Sequence, residues 1–382
     1  MLIYLGLSAL ATFVAALILA LIGQPPLPAI AHLVFAVGIL PLIVGAMTHF
    51  VPVLTRSSRA PRHLLLAPLL LQLAGWLVFL DFCGDAPVGS TLAAAAGTLL
   101  IAGWLAGWMV ERARRTLGRP HPGWRWYLAA IILLGMALML VPAMTWWPEM
   151  RPQLRLLHLH LNTLGFIGLS ALGTLQVLLP TALNSPDADA ARRLRQHLPV
   201  ACSAVLMIAV GAVTWLPLAL AGAVLLTGLV LTIVRAFLQR YGWRALWDDG
   251  AAAALSGALF GFLLLAGLGA AHGLGTLDGR DAVPAFVVAC LLPLVTGALT
   301  QLLPVWLLRG KRTPRRDRLH AALRRGGAPR ALLFVCGGFL LGLGLTGGIW
   351  PALLGILHFV LVLLHSLATM SRLAHHGENI FK

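Results

Sequence analysis

Charged side chains are scarce. Asp, Glu, Lys and Arg make up 10% of the 382 residues, while hydrophobic residues make up 59%. A typical soluble domain carries about 25% charged residues. A chain this poor in charge cannot clothe a water-facing surface, so the composition predicts an integral membrane protein. Acidic residues inside the apolar runs are missing as well. Asp81, Asp85, Glu149, Asp278 and Asp281 fall at their edges. Carboxylate proton relays and acidic ion sites, the usual marks of coupled pumps, are therefore not visible. Cysteine is limited to Cys83, Cys202, Cys290 and Cys336, with no CxxC or CxxCH pattern. That removes covalent c-type haem and cysteine-rich cluster or zinc motifs. Met1 is followed by no positive stretch and no small-residue cleavage site, so the first apolar run reads as a retained helix.

What is present is a series of apolar runs. Twelve are expected to cross the bilayer: Leu2–Ile22, Leu27–Leu54, Leu64–Phe82, Val88–Val110, Trp126–Trp147, Leu156–Leu183, Leu198–Trp215, Leu218–Phe237, Ala251–Ala271, Val283–Leu308, Ala331–Thr346 and Pro351–Met370. Each is near the ~20 residues that a spanning helix needs, which favours helices over a barrel. The stretch Leu198–Leu238 is too long for one helix and breaks best at Trp215–Pro217.

The formal charge of +16 suggests nucleic acid until the arginines are placed. Alternate loops and the tail hold 25 of the 28 basic residues, from Arg56 through the dense segment Arg309–Arg330 to Lys382. The opposite loops hold Arg151, Arg155 and Arg280. By the positive-inside rule both termini are cytoplasmic, and the charge is an orientation signal rather than a nucleic-acid surface. Arg309–Arg330 can also touch anionic lipid. The expected setting is a bacterial inner membrane, with the lipid bilayer as the first partner.

Three segments repeat: GAMTHFVPVLTRS, LGTLQVLLPTALNS and TGALTQLLPVWLLRG. Their prolines, Pro52, Pro180 and Pro304, are 128 and 124 residues apart, with four spans in each interval. The expected fold is all-α and polytopic. Twelve transmembrane helices form three pseudo-symmetric four-helix units in one domain over 1–382, with units at approximately 1–118, 119–247 and 248–382. An even number of spans per unit makes the repeats parallel. Each proline frees the carbonyl four residues back, at Thr48, Gln176 and Thr300. Nearby His49, Thr174 and Gln301 can satisfy it, which is a structural role, and a polar ring of His49, Gln176 and Gln301 is the functional alternative.

Histidine is what lies inside the spans. With helices rising ~1.5 Å per residue, His32, His158, His160, His272 and His358 fall in the outer half, and His49 and His365 deeper. Each has a plain reading, a hydrogen bond to a nearby carbonyl or headgroup-level water. His158 and His160, followed by Asn162, are hard to justify on stability alone, because imidazoles in hydrocarbon are costly. Two residues apart is about 200° around a helix, so these two cannot chelate one ion from a regular helix. His272, His358 and His49 are the remaining candidate metal ligands. A haem needs one or two axial imidazoles and room for a flat macrocycle. Gly165, Gly168 and Gly173 supply that room or, alternatively, close helix packing.

Twelve helices in three parallel units, with outer histidines on spans 2 and 6, resemble subunit I of the haem–copper oxidases. The phrase HLHLNTLGFIGLSALGTLQVLLP is similar to the histidine-led segments of its smaller oxidase-like relatives, and the NnrS proteins of nitric-oxide stress are a nearby comparison. The resemblance implies a b-type haem, with copper as a further metal. It sets His32 in the place of the span-2 ligand, and His158 or His160 on the helix that supplies a copper ligand. Span 10 carries no histidine where the family ligates both haems, and span 7 lacks the paired histidines of the copper site. The resemblance then implies rearranged ligation between His32 and His158 or His160. It also implies redox or nitric-oxide-stress chemistry with a redox partner or an oxidase or maturation complex. Two other functions fit the composition: a permease for a small solute or metal ion, and a cofactor-free assembly or interaction subunit.

Overall fold

The computed structural model describes the backbone of residues 1–378 and the side chains through Thr369. Lys382 lies outside the described residues, as do the side chains of Arg372, His375 and His376. Among the described residues every regular element is helical. In chain order these are α1 (Leu2–Ile22), α2 (Leu27–Leu54), α3 (Arg62–Cys83), α4 (Ser90–Arg114), α5 (Gly123–Trp146), α6 (Pro148–Ala182), α7 (Ala190–Thr214), α8 (Leu216–Asp248), α9 (Gly250–Gly273) and α10 (Gly279–Leu307). A short α11 (Pro314–Arg324), α12 (Gly327–Gly342) and α13 (Ile349–Glu378) follow. Among the described residues, eleven helices are long and apolar enough to cross a membrane, so this is a multi-pass membrane protein.

The boundaries follow local chemistry. The expected break after Trp215 occurs there: α7 ends at Thr214, Trp215 is extended at φ −157°, and α8 starts at Leu216 with Pro217 in its first turn. Proline suits that position because the first turn needs no N–H donor. Thr313 caps α11 by accepting the Arg316 N–H. The expected span Ala331–Thr346 is instead α12, a helix of 16 residues that stops before a left-handed Gly344. At ~1.5 Å per residue it is about 24 Å long, short of the ~30 Å hydrocarbon core.

The helices group into two compact units. The first comprises Met1–Val177, Asp187–Thr232 and Gly269–Thr276; the second comprises Leu178–Pro186, Ile233–Leu268 and Leu277–Lys382. In the first unit a polar relay ties α1, α2 and α3 together. Gln72 accepts from Tyr4 at 2.9 Å and donates to Ser8 at 2.6 Å and to the Val37 carbonyl at 3.2 Å. In the second unit Arg324 reaches Asp249 at 2.9 Å, the Ala182 carbonyl at 2.9 Å and Gln301 at 3.1 Å. Asp249 also accepts the first N–H groups of α9, from Ala251 and Ala252.

One backbone feature recurs three times. Within α2, α6 and α10 the winding widens to i→i−5 bonding over Leu33–Ile39, Leu161–Gly168 and Val287–Leu291. Their first residues are 128 and 126 residues apart, close to the proline spacing. Such wide turns within regular helices are frequent at functional sites. In two of them the widened backbone is met by glycine from a neighbouring helix. A Cβ on Gly75 of α3 would stand 2.5 Å from the Ala36 oxygen, and one on Gly261 of α9 would collide with Ala289.

Candidate imidazole site

His32 and His160 occupy one register. Each is the last residue before a wide turn, and Phe286 holds that place in α10. The two rings are tied alike. His32 Nδ1 lies 2.7 Å from the Pro28 carbonyl and His160 Nδ1 lies 2.9 Å from the Leu156 carbonyl, each four residues earlier. His158 Nδ1 instead crosses to α5, 2.8 Å from the Ala137 carbonyl. A carbonyl only accepts, so in all three the proton sits on Nδ1 and Nε2 keeps its lone pair. This is the tautomer of a metal-bound histidine, whose second nitrogen donates to a backbone carbonyl.

The surroundings hold these rings in place. His32 stacks on Phe82 of α3, with ring centroids 4.7 Å apart. Asn162 and Thr163 each bond the carbonyl four residues back, those of His158 and Leu159, both at 2.8 Å. Widening the helix would otherwise leave these carbonyls short of partners. Asn162 therefore fixes the His158 backbone as the wide turn begins. His158 lies within electrostatic range of His32, and His272 of His160. All four are half-buried and belong to the first compact unit. None of residues 151–160 is fully buried, whereas 83% of the most apolar stretch of α6 is. The histidine-bearing turns of α6 are thus less covered by protein than the rest of that helix.

The other expected residues are placed differently. His49 is exposed, in edge contact with Phe50. The expected outer-half position of His358 does not hold: its ring lies against Gly326, at the end of α12 that follows the arginine-rich segment, exposed, with Nδ1 3.4 Å from Arg330, and a guanidinium is a poor neighbour for a bound cation. Gln176 is fully buried and donates to the Leu172 carbonyl at 3.2 Å. Thr174 bonds the Ser170 carbonyl and Tyr127. Gln301 bonds the Thr181 carbonyl and Arg324. Two glycines read as room for a macrocycle are closed by packing: Leu133 lies 3.0 Å from where a Cβ on Gly165 would stand, and Trp126 lies 2.7 Å from one on Gly173.

Among the described residues no group of three or more His, Cys, Asp or Glu side chains gathers to hold a metal ion. A copper centre built from protein ligands does not fit this donor set. Haem fits it, because the macrocycle supplies the equatorial donors and only one or two imidazoles are needed. Comparison with known proteins finds no matching family model, no matching curated protein and no matching solved structure.

Proposed function

We propose that the protein is a multi-pass haem protein of the bacterial inner membrane, akin to subunit I of the haem–copper oxidases. In this reading imidazoles from α2 and α6 hold a b-type haem for redox or nitric-oxide-stress chemistry, alongside a redox partner or maturation complex. One observation carries it. Three imidazoles inside membrane helices each give their Nδ1 proton to a carbonyl and keep an Nε2 lone pair.

In this proposal His32 and His158, on different helices and within electrostatic range of each other, would hold the haem. The carbonyls of Pro28 and Ala137 raise the basicity of the ligating nitrogens and hold each ring's orientation. Phe82 stacks on the face of the His32 ring. The apolar surroundings lower the local dielectric, which favours the iron state of lower charge. Bound there, haem would supply a one-electron iron couple. The fold proposed is twelve crossings in three parallel units with both termini on the arginine-rich side. The threefold recurrence of wide turn and proline supports it. α12 serves as a short crossing, joined to α13 by so brief a connection that the two run antiparallel.

The test is an absorption spectrum of protein purified from haem-sufficient cells, with iron analysis. A Soret band is expected in the unaltered protein and its loss in a His32→Ala/His158→Ala double variant that retains its unfolding temperature. Colourless, iron-free protein would sink the proposal.

A further inference from the structure

Arg330, in the first turn of α12, is 1% exposed, yet two of its three nitrogens, Nε and Nη2, have no hydrogen-bond partner among the described residues. The third, Nη1, meets His358 Nδ1 at 3.4 Å. The guanidinium carbon lies 4.8 Å from the ring centre of Phe359. That cation–π contact eases the burial of charge but satisfies no N–H group. A buried cation without acceptors is costly, and arginine does not escape by losing its proton.

The surroundings add positive character. Helical side chains lean toward their own N-terminus, so Arg330 reaches back over the start of α12. That end is preceded by a left-handed Gly326 and has no side-chain cap. Its free N–H groups carry the positive end of the helix dipole. Glycine is required at 326 twice over: φ is +65°, and a Cβ would stand 2.5 Å from the His358 ring. Since His358 Nδ1 accepts from Arg330, its Nε2 carries the proton and is a further donor. Two acids of the same unit are engaged elsewhere, Asp249 with Arg324 at 2.9 Å and Asp317 with Arg312 at 2.7 Å.

We infer that Arg330, His358 and the first turn of α12 form a binding site for a phosphate group. The two unpartnered nitrogens lie on one edge of the guanidinium, the fork that grips two oxygens of a phosphate at once. The site lies at the start of α12, directly after the arginine-rich segment, and His358 beside it is exposed. The phosphate is that of an anionic lipid headgroup or a free phosphate ion.

The test is thermal unfolding in a maltoside detergent, which has no phosphate. One arm adds inorganic phosphate against chloride at equal ionic strength. The other adds short-chain phosphatidylglycerol against a glycosyl diacylglycerol without phosphate. A saturable rise with phosphatidylglycerol alone identifies the lipid as the source, and a rise with inorganic phosphate identifies the free ion. Either rise falls by at least half in Arg330→Gln. His358→Phe keeps a ring against Gly326, removes the donor and lowers the rise too, which covers the case of an unfolded Arg330→Gln. No rise in either arm, an equal rise with acetate, or a rise unchanged in a folded variant overturns the inference.

Discussion

His32 and His160 stand at the same point of the same backbone device, 128 residues apart. Each closes a regular helical segment, each precedes a wide turn, and each returns its Nδ1 proton to the carbonyl four residues earlier. His158, two residues before His160, departs from the pattern by reaching the Ala137 carbonyl of α5. It is therefore the ring that its own helix does not explain.

That difference separates the two α6 histidines. His158→Ala is expected to remove the haem signal as fully as His32→Ala, while His160→Ala retains most of it. Pyridine haemochrome content per mole of purified protein measures this. Equal loss in His158→Ala and His160→Ala would refute the pairing of His32 with His158.

The widened backbones are clasped by glycine, and methyl groups should expose this. Gly261→Ala drives a Cβ into Ala289 and is expected to destabilise by about 1–3 kcal/mol, the usual range for overpacking. Gly97→Ala, in α4, meets nothing within 4 Å and should be neutral or slightly stabilising, since alanine is the better helix former. Unfolding temperature in detergent distinguishes them. Similar values for the two would remove the clasp from the account.

In the second unit Asp249 has two tasks, pairing with Arg324 and capping α9. Asp249→Asn keeps a capping oxygen and loses the charge, whereas Asp249→Ala loses both. The alanine variant is expected to be less stable than the asparagine one by about 1 kcal/mol, the typical worth of a cap. Their order under thermal or denaturant unfolding decides the point, and the reverse order would exclude the cap.

His121 lies between α4 and α5, outside the spans. Its Nδ1 accepts the Gly123 N–H at 3.3 Å. Burial, and then the Arg195 cation, hold its pKa below the usual 6.5. The unfolded chain thus takes up the proton first as pH falls, so this contribution to stability is present above about pH 6.5 and is lost below it. A His121→Gln variant should show a flatter decline between about pH 7.5 and about pH 5.5 than the unaltered protein. Identical pH profiles would assign the sensitivity to other groups.

Much of the fold was legible in the chain, and the reasons differ by element. Hydropathy and length located the long helices, because the bilayer imposes both. Trp215–Pro217 was readable as a break because the run was too long for one crossing and proline favours the first turn of a helix over its interior. α12 was not readable as short: the apolar run continues past Gly342, and a left-handed glycine, not a change in polarity, stops it. The wide turns had no signal of their own, since no residue type demands i→i−5 bonding. Only the spacing of Pro52, Pro180 and Pro304 pointed to their recurrence. At the candidate site the histidines were visible by their cost in hydrocarbon. Their tautomers were not, because these depend on Ala137 and on the local turns of α2 and α6. Arg330 had been assigned with the loop arginines by sequence position, and only packing shows it to be buried.

Each wide turn leaves its rod out of phase with itself. A stretch bonded five residues back advances through fewer degrees per residue than the regular helix on either side. Beyond Ile39, Gly168 and Leu291 every side chain consequently points in a direction that an unbroken cylinder would not assign to it. The imidazole-bearing half and the proline-bearing half of α2 and of α6 are thereby steered separately. A substitution that restored uniform winding would re-aim one end of the rod while leaving its composition untouched.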